Sequence, residues 1–111
     1  MQRYQATGRV ISKDKVATYA DGSRVVKIAL LCEDSYVSAS GEKHIKDVIY
    51  IAMWNRKADV SKYINVGDEL YIEGKLTSFT HKVMLKSIHT LEVVVSLFHF
   101  IMPRKMGNEA V

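Results

Sequence analysis

The stretch Asp47–Trp54 constrains the fold more than any other, because it alternates while carrying apolar residues on both of its sides. Successive residues of a strand point to opposite faces. Ile49, Ile51 and Met53 therefore share one face, and Val48, Tyr50, Ala52 and Trp54 share the other. Such a strand needs a core against its aliphatic face and leaves an aromatic face to be accounted for. A helical period starts directly after it. Lys57–Ile64 reads as a short helix with Val60, Tyr63 and Ile64 at helical spacing. Asn65-Val66-Gly67-Asp68 closes it, with Asn65 or Gly67 able to take a left-handed cap.

Strand-like runs rich in Val and Ile fill most of the remainder. Thr7–Ile11 reads as a first strand, extended by Val16–Tyr19 after a polar break at Ser12–Lys15. Ala20-Asp21-Gly22-Ser23 is a hairpin signal, and a second strand runs from Arg24 to about Glu33. Asp34–Lys46 reads as a polar loop of 13 residues, a length usually kept for function. The strand Asp47–Trp54 comes third. A fourth, Glu69–Ser78, places Leu70, Ile72, Gly74 and Leu76 on one face. A turn at Thr80-His81-Lys82 then leads into a last strand from Val83 to about Phe98. Periodicity alone supports a small all-β barrel. Five strands with one short helix between the third and fourth is the order of an OB-fold barrel.

The chain has 111 residues, enough for one domain, read as residues 1–102 with a short tail at 103–111. Its net charge of +4 leans mildly toward anionic partners. The bias is local: Arg3, Arg9, Lys13 and Lys15 face only Asp14 in residues 1–15, whereas Asp68, Glu69 and Glu73 make residues 63–75 acidic. The single cysteine, Cys32, rules out an internal disulfide and reads as a buried small hydrophobe within the apolar run Val25–Cys32. No apolar stretch approaches 18 residues and the first residues lack a signal-peptide core, so the expectation is a cytoplasmic protein away from membranes. Enzyme chemistry finds no motif. Gly74-Lys75 is followed by Leu76, which is no phosphate loop. His44, His81, His89 and His99 lack metal-ligand spacing, and no Ser or Cys sits in a nucleophile motif. No catalysis, metal or cofactor is expected.

Several segments together resemble the bacterial single-stranded DNA-binding protein family. They are Val66–Leu76 (VGDELYIEGKL), the preceding helix Ala58–Ile64 (ADVSKYI), the strand Glu92–Val95 (EVVV), the turn Tyr19–Gly22 (YADG), and the stretch from Ser35-Tyr36 through Gly41-Glu42-Lys43. They occur in the family's order and cover roughly residues 5–96. The resemblance implies an OB fold that binds single-stranded DNA by stacking bases on aromatic rings while basic side chains track the phosphates. Tyr36 falls where the family has a loop tryptophan, and Trp54 where it has a phenylalanine near the end of the third strand. Val48 stands where the family has another tryptophan, and Phe79 lies one residue out of register with a fourth aromatic. The tail from Pro103 to Val111 lacks the family's acidic tip, so recruitment of partners through such a tail is not expected.

The stacking candidates are therefore Trp54, Tyr50, Tyr36 and Phe79, with small Ala52 leaving room between the first two. The competing reading buries Trp54 in the core or in a subunit contact. Tyr71 is read as shielding the sheet. The phosphate candidates are Arg3, Lys13, Lys15, Arg24, Lys43, Lys46, Arg56, Lys57, Lys75, Lys82 and Lys86. The run Val93–Met102 is too apolar for a free strand. Burial between subunits of a homodimer or homotetramer, which the resemblance also suggests, and extension over its own barrel are the two explanations. The functional expectation is binding of single-stranded DNA with little sequence preference, in replication, recombination or repair. The alternative is an OB-fold interaction or assembly module of the primosomal replication protein type. The loss of an aromatic at Val48 favours that alternative.

Overall fold

The structure, a computed structural model, describes residues 3–101; within its strands, the side chains at 34–38, 42–45, 79, 81–83 and 89 lie outside that description. The elements are β1 (Tyr4–Lys13), β2 (Ala17–Thr18), β3 (Arg24–Ser38), β4 (Gly41–Trp54), α1 (Arg56–Val60) with a 3₁₀ turn at Ser61–Tyr63, β5 (Glu69–Val83) and β6 (Lys86–Phe100). The strands form one sheet in the order β1-β5-β6-β4-β3-β2, and pairing of β1 with β3 closes it. The result is a five-stranded OB-fold barrel, with the helical segment between β4 and β5 and the two-residue β2 as an appendage of β3. Ala17 and Thr18 continue the first strand's pairing after the polar break: β1 runs along β3 to Lys13 opposite Ile28, and β2 resumes on the same strand opposite Val25 and Arg24.

Period-two alternation explains the core. Ile51 and Met53 of β4 are buried with Val26, Ile28 and Leu30 of β3, Val10 of β1, Leu70 and Ile72 of β5, and Val93 and Val95 of β6. Ile49 packs at the margin of this cluster. Cys32 is half-buried rather than enclosed. The apolar C-terminal run pairs with β5 as far as Phe100, and the Ile101 amide donates to the Glu69 carbonyl at 2.9 Å. It is a strand of its own barrel. Met102 and the tail lie outside the described residues.

Two expectations about loops are corrected. The segment read as a polar loop, Asp34–Lys46, is paired strand, with register continuous from Val25 opposite Trp54 to Ser38 opposite Gly41. The turn read at Thr80-His81-Lys82 lies later, at Met84-Leu85, because β5 and β6 stay paired up to Val83 opposite Lys86. Both are hairpin arms that leave the barrel. Glu33 and Lys46 are exposed where the first arm departs.

The helical segment, Arg56–Tyr63, starts one residue before the expected Lys57–Ile64 and turns a different set of side chains inward. Ala58, Ser61 and Ile64 face the barrel, whereas Val60 and Tyr63 are exposed. Small Ala58 and Ser61 let this segment approach the barrel mouth closely, and Ile64 plugs it. Gly67, not Asn65, takes the positive φ, at 100°, and its amide donates to the Val10 carbonyl at 2.8 Å. The Asp21-Gly22 hairpin forms as read, with Gly22 at φ 89°. No helix is long and apolar enough to cross a membrane among the described residues.

Candidate nucleic-acid interface

The outward face of β4 gathers the aromatic residues. Tyr50 is 55% exposed, Val48 is exposed beside it, and Trp54 is half-buried at the strand's end. Lys46 continues this face toward the arm. Register extends the face across the sheet: Lys27 of β3 pairs with Ala52 of β4, Ala52 with Val94 of β6, and Val94 with Lys75 of β5. Lys75 therefore lies two strand spacings from Ala52, roughly 10 Å away, and is exposed.

The gap expected between Tyr50 and Trp54 is not open. Lys27 Nζ donates to Glu92 Oε2 at 2.6 Å, and because β3 and β6 flank β4, this pair passes over β4 at Ala52. Ala52 has no exposed surface and the Glu92 residue only 8%. The centre of the face is a neutralised ion pair with a ring on either side of it along β4.

Trp54 also has a partner of its own. Tyr19, in the turn between β2 and β3, stacks on it with ring centroids 5.9 Å apart and planes at 21°. After Trp54 the chain turns sharply at Asn55, whose φ is 55°. Two hydrogen bonds hold that conformation: the Asn55 amide donates to the Arg24 carbonyl at 2.7 Å, and the Arg24 amide donates to Asn55 Oδ1 at 3.1 Å. Exposed Arg56 and half-buried Lys57 follow at once.

The basic candidates divide into two groups. Lys15, Lys46, Arg56, Lys75 and Lys86 are exposed, with Lys86 far out beside the Met84-Leu85 turn. Arg3, Lys13 and Arg24 are committed within the fold. Arg24 grips Asp59 with two bonds of 2.7 Å; these hold the Asp59 carboxyl below its ordinary range and raise the guanidinium. Lys13 Nζ donates to the carbonyls of Ser61 at 2.9 Å and Ile64 at 2.8 Å. Arg3 donates to Glu73 at 2.7 Å. Tyr71 donates to the same carboxylate at 2.6 Å, stacks with His99, and is half-buried over β5 and β6. Hydrogen bonds from Tyr71 and Arg3 lower Glu73, and that to Glu73 raises Tyr71. Tyr36, Lys43, Phe79 and Lys82 sit on the hairpin arms, Tyr36 opposite Lys43 in register, but their side chains lie outside the described residues.

Three residues of this face escaped the sequence reading: Tyr19, Lys27 and Glu92. Tyr19 carried a signal, an aromatic directly before an Asp-Gly turn. Lys27 and Glu92 meet only because the barrel closes. Among the described residues, no group of three or more His, Cys, Asp or Glu side chains is placed to hold a metal ion.

The closed barrel, its helix between β4 and β5, and an exposed aromatic and basic outer sheet define an OB-fold protein. Family comparison is specific: the chain belongs to the single-strand binding protein family, whose model matches residues 1–101. A search of curated proteins finds no significant match. Among solved structures, the chain is similar to the Plasmodium falciparum SSB in complex with ssDNA, at 18% identity and a TM-score of 0.80, covering 92% of this chain and 96% of that one. It also resembles a deletion mutant of the single-stranded DNA binding protein from Thermus aquaticus, at 15% identity and a TM-score of 0.81, covering 94% of this chain and 52% of that one. PriB from Ralstonia solanacearum shares the fold at 17% identity and a TM-score of 0.69, covering 90% of this chain and 97% of that one.

Proposed function

We propose that this protein binds single-stranded DNA without catalysis and with little sequence preference, laying the strand along the outer face of β4. The observation that carries this reading is the placement of exposed Tyr50 and half-buried Trp54 on one face, with Lys46, Arg56 and Lys75 exposed around them. Every base has a π-face, so stacking tolerates any sequence, and each stacked base contributes about 1–3 kcal/mol. Lys15, Lys57 and Lys86, with Lys43 and Lys82 on the arms, extend the set of phosphate contacts; Tyr36 and Phe79 extend the stacking set. Arg3, Lys13 and Arg24 serve the fold instead. We place the protein in the cytoplasm as a homodimer or homotetramer acting in replication, recombination or repair, where several linked sites gain avidity from one strand.

The test uses Trp54, the single tryptophan of the chain. An oligothymidine of roughly 35 nucleotides, long enough for several OB-sized sites, is titrated at low and moderate salt while Trp54 emission is followed. Quenching that fades with salt supports the reading, with a logarithmic slope of about −0.7 per phosphate contacted. A slope near zero, or no mobility shift of the oligonucleotide in a parallel gel, overturns it. The second reading is an assembly module of the primosomal replication protein type with weak nucleic-acid binding. Val48 in place of a stacking ring favours it, as does the fold shared with PriB.

A further inference from the structure

Tyr19 covers one side of the Trp54 ring, with centroids 5.9 Å apart and planes 21° from parallel. A base has no access to the side that Tyr19 covers unless the two rings part. The turn carrying Tyr19 opposes that parting. The Tyr19 amide donates to the Ser23 carbonyl at 2.8 Å, and the Gly22 amide returns to the Tyr19 carbonyl at 3.0 Å. The Asp21 carboxylate accepts from both the amide and the hydroxyl of Ser23, at 2.9 and 2.6 Å. Arg24 then fastens the turn to α1, donating to the Gly22 carbonyl at 3.1 Å while gripping Asp59. Tyr19 itself is 52% exposed, whereas Trp54 is half-buried. The better-presented ring of the pair is the tyrosine.

We propose that Tyr19 is the base-contacting ring at this end of the interface, stacking a nucleobase of the single strand on its free face, with Trp54 as the backing that holds it flat. The inference rests on the reading that this protein binds single-stranded nucleic acid. The ligand class is an unpaired nucleobase of any identity, since the contact is ring to ring. The phenol hydroxyl takes no part. A ring already fixed by its turn loses little freedom on binding, which favours affinity over a free side chain of the same size.

The full chain and a fluorescently labelled oligothymidine of roughly 35 nucleotides serve as protein and probe, with binding read by anisotropy at fixed salt. Tyr19→Ala weakens binding by about tenfold, the change expected for one lost stacking contact, without altering the salt slope, because no charge is removed. Tyr19→Phe restores the affinity. A second measurement separates contact from support: in Tyr19→Trp/Trp54→Phe the only indole stands at position 19, and its emission is quenched by the oligonucleotide. Wild-type binding with no loss in Tyr19→Ala, or binding by the double variant without quenching at position 19, overturns the role of Tyr19 and leaves the binding reading standing. Absence of binding by the wild-type chain overturns both.

Discussion

The Lys27–Glu92 pair is lopsided: the lysine side chain keeps 39% of its surface in water and the glutamate only 10%. Removing the lysine alone leaves a carboxylate shielded from solvent and without its ammonium. Lys27→Ala is therefore expected to cost about 1–3 kcal/mol in urea denaturation. Lys27→Met combined with Glu92→Leu removes both charges and recovers most of that loss, since two apolar side chains of similar volume fill the same space. A double variant no more stable than Lys27→Ala would contradict this account. The same pair marks the limit of reading residues from a linear chain. Tyr50 and Trp54 could be assigned to one face because period two is a local property. Lys27 looked like an interruption of an apolar run, since its partner lies 65 residues away and becomes a neighbour only through β4. Arg24 and Lys13 likewise have internal partners that a linear reading does not reveal. A basic residue is a phosphate candidate until its internal acceptor is known, and those acceptors lie 35 and 48 to 51 residues distant.

Among the elements, the helical segment at the barrel mouth shows how little of its geometry is local. Its pattern suggested Val60 and Tyr63 as inner residues, but the 3₁₀ turn shifts the spacing so that Ala58, Ser61 and Ile64 face inward. Lys13 determines where it ends, because its ammonium satisfies two carbonyls, those of Ser61 and Ile64. Lys13→Met keeps the aliphatic stem and loses both bonds, and should lower stability by about 2 kcal/mol, within the range for hydrogen bonds to a charged group. The salt slope of DNA binding should stay unchanged in this variant; a slope reduced by one phosphate contact would return Lys13 to the interface. The hairpin arms were misread in the opposite direction. Strand patterns are legible where apolar and polar residues alternate clearly; in the arms they do not, and the register alone reveals the strands.

At the scale of the molecule, the order of elements was legible because five apolar runs, one helical stretch and two glycine turns indicate a small all-β barrel in OB order, and the family resemblance pointed to the same fold. The way the barrel is fastened was not. Arg24–Asp59 ties the β2–β3 turn to α1, and Glu73, held by Tyr71 and Arg3, ties β1 to β5. Both carboxyls titrate below their ordinary values, 3.8 for aspartate and 4.5 for glutamate. Their contribution is complete above those values and is lost as pH falls through the lowered folded ones. Thermal stability should therefore decline on acidification below about pH 4.5, and Asp59→Asn with Glu73→Gln should flatten that decline. An unchanged acid limb in the double variant would assign the sensitivity elsewhere. The barrel also has an uneven seam. The β3–β4 hairpin is paired without a break and the β5–β6 hairpin with one bulge at Glu73/Gly74, yet among the described residues β4 meets β6 through two register pairs, Ile51 with Val93 and Ala52 with Val94. On the proposed reading, a strand laid along the outside of β4 would cross that short seam and brace it from outside.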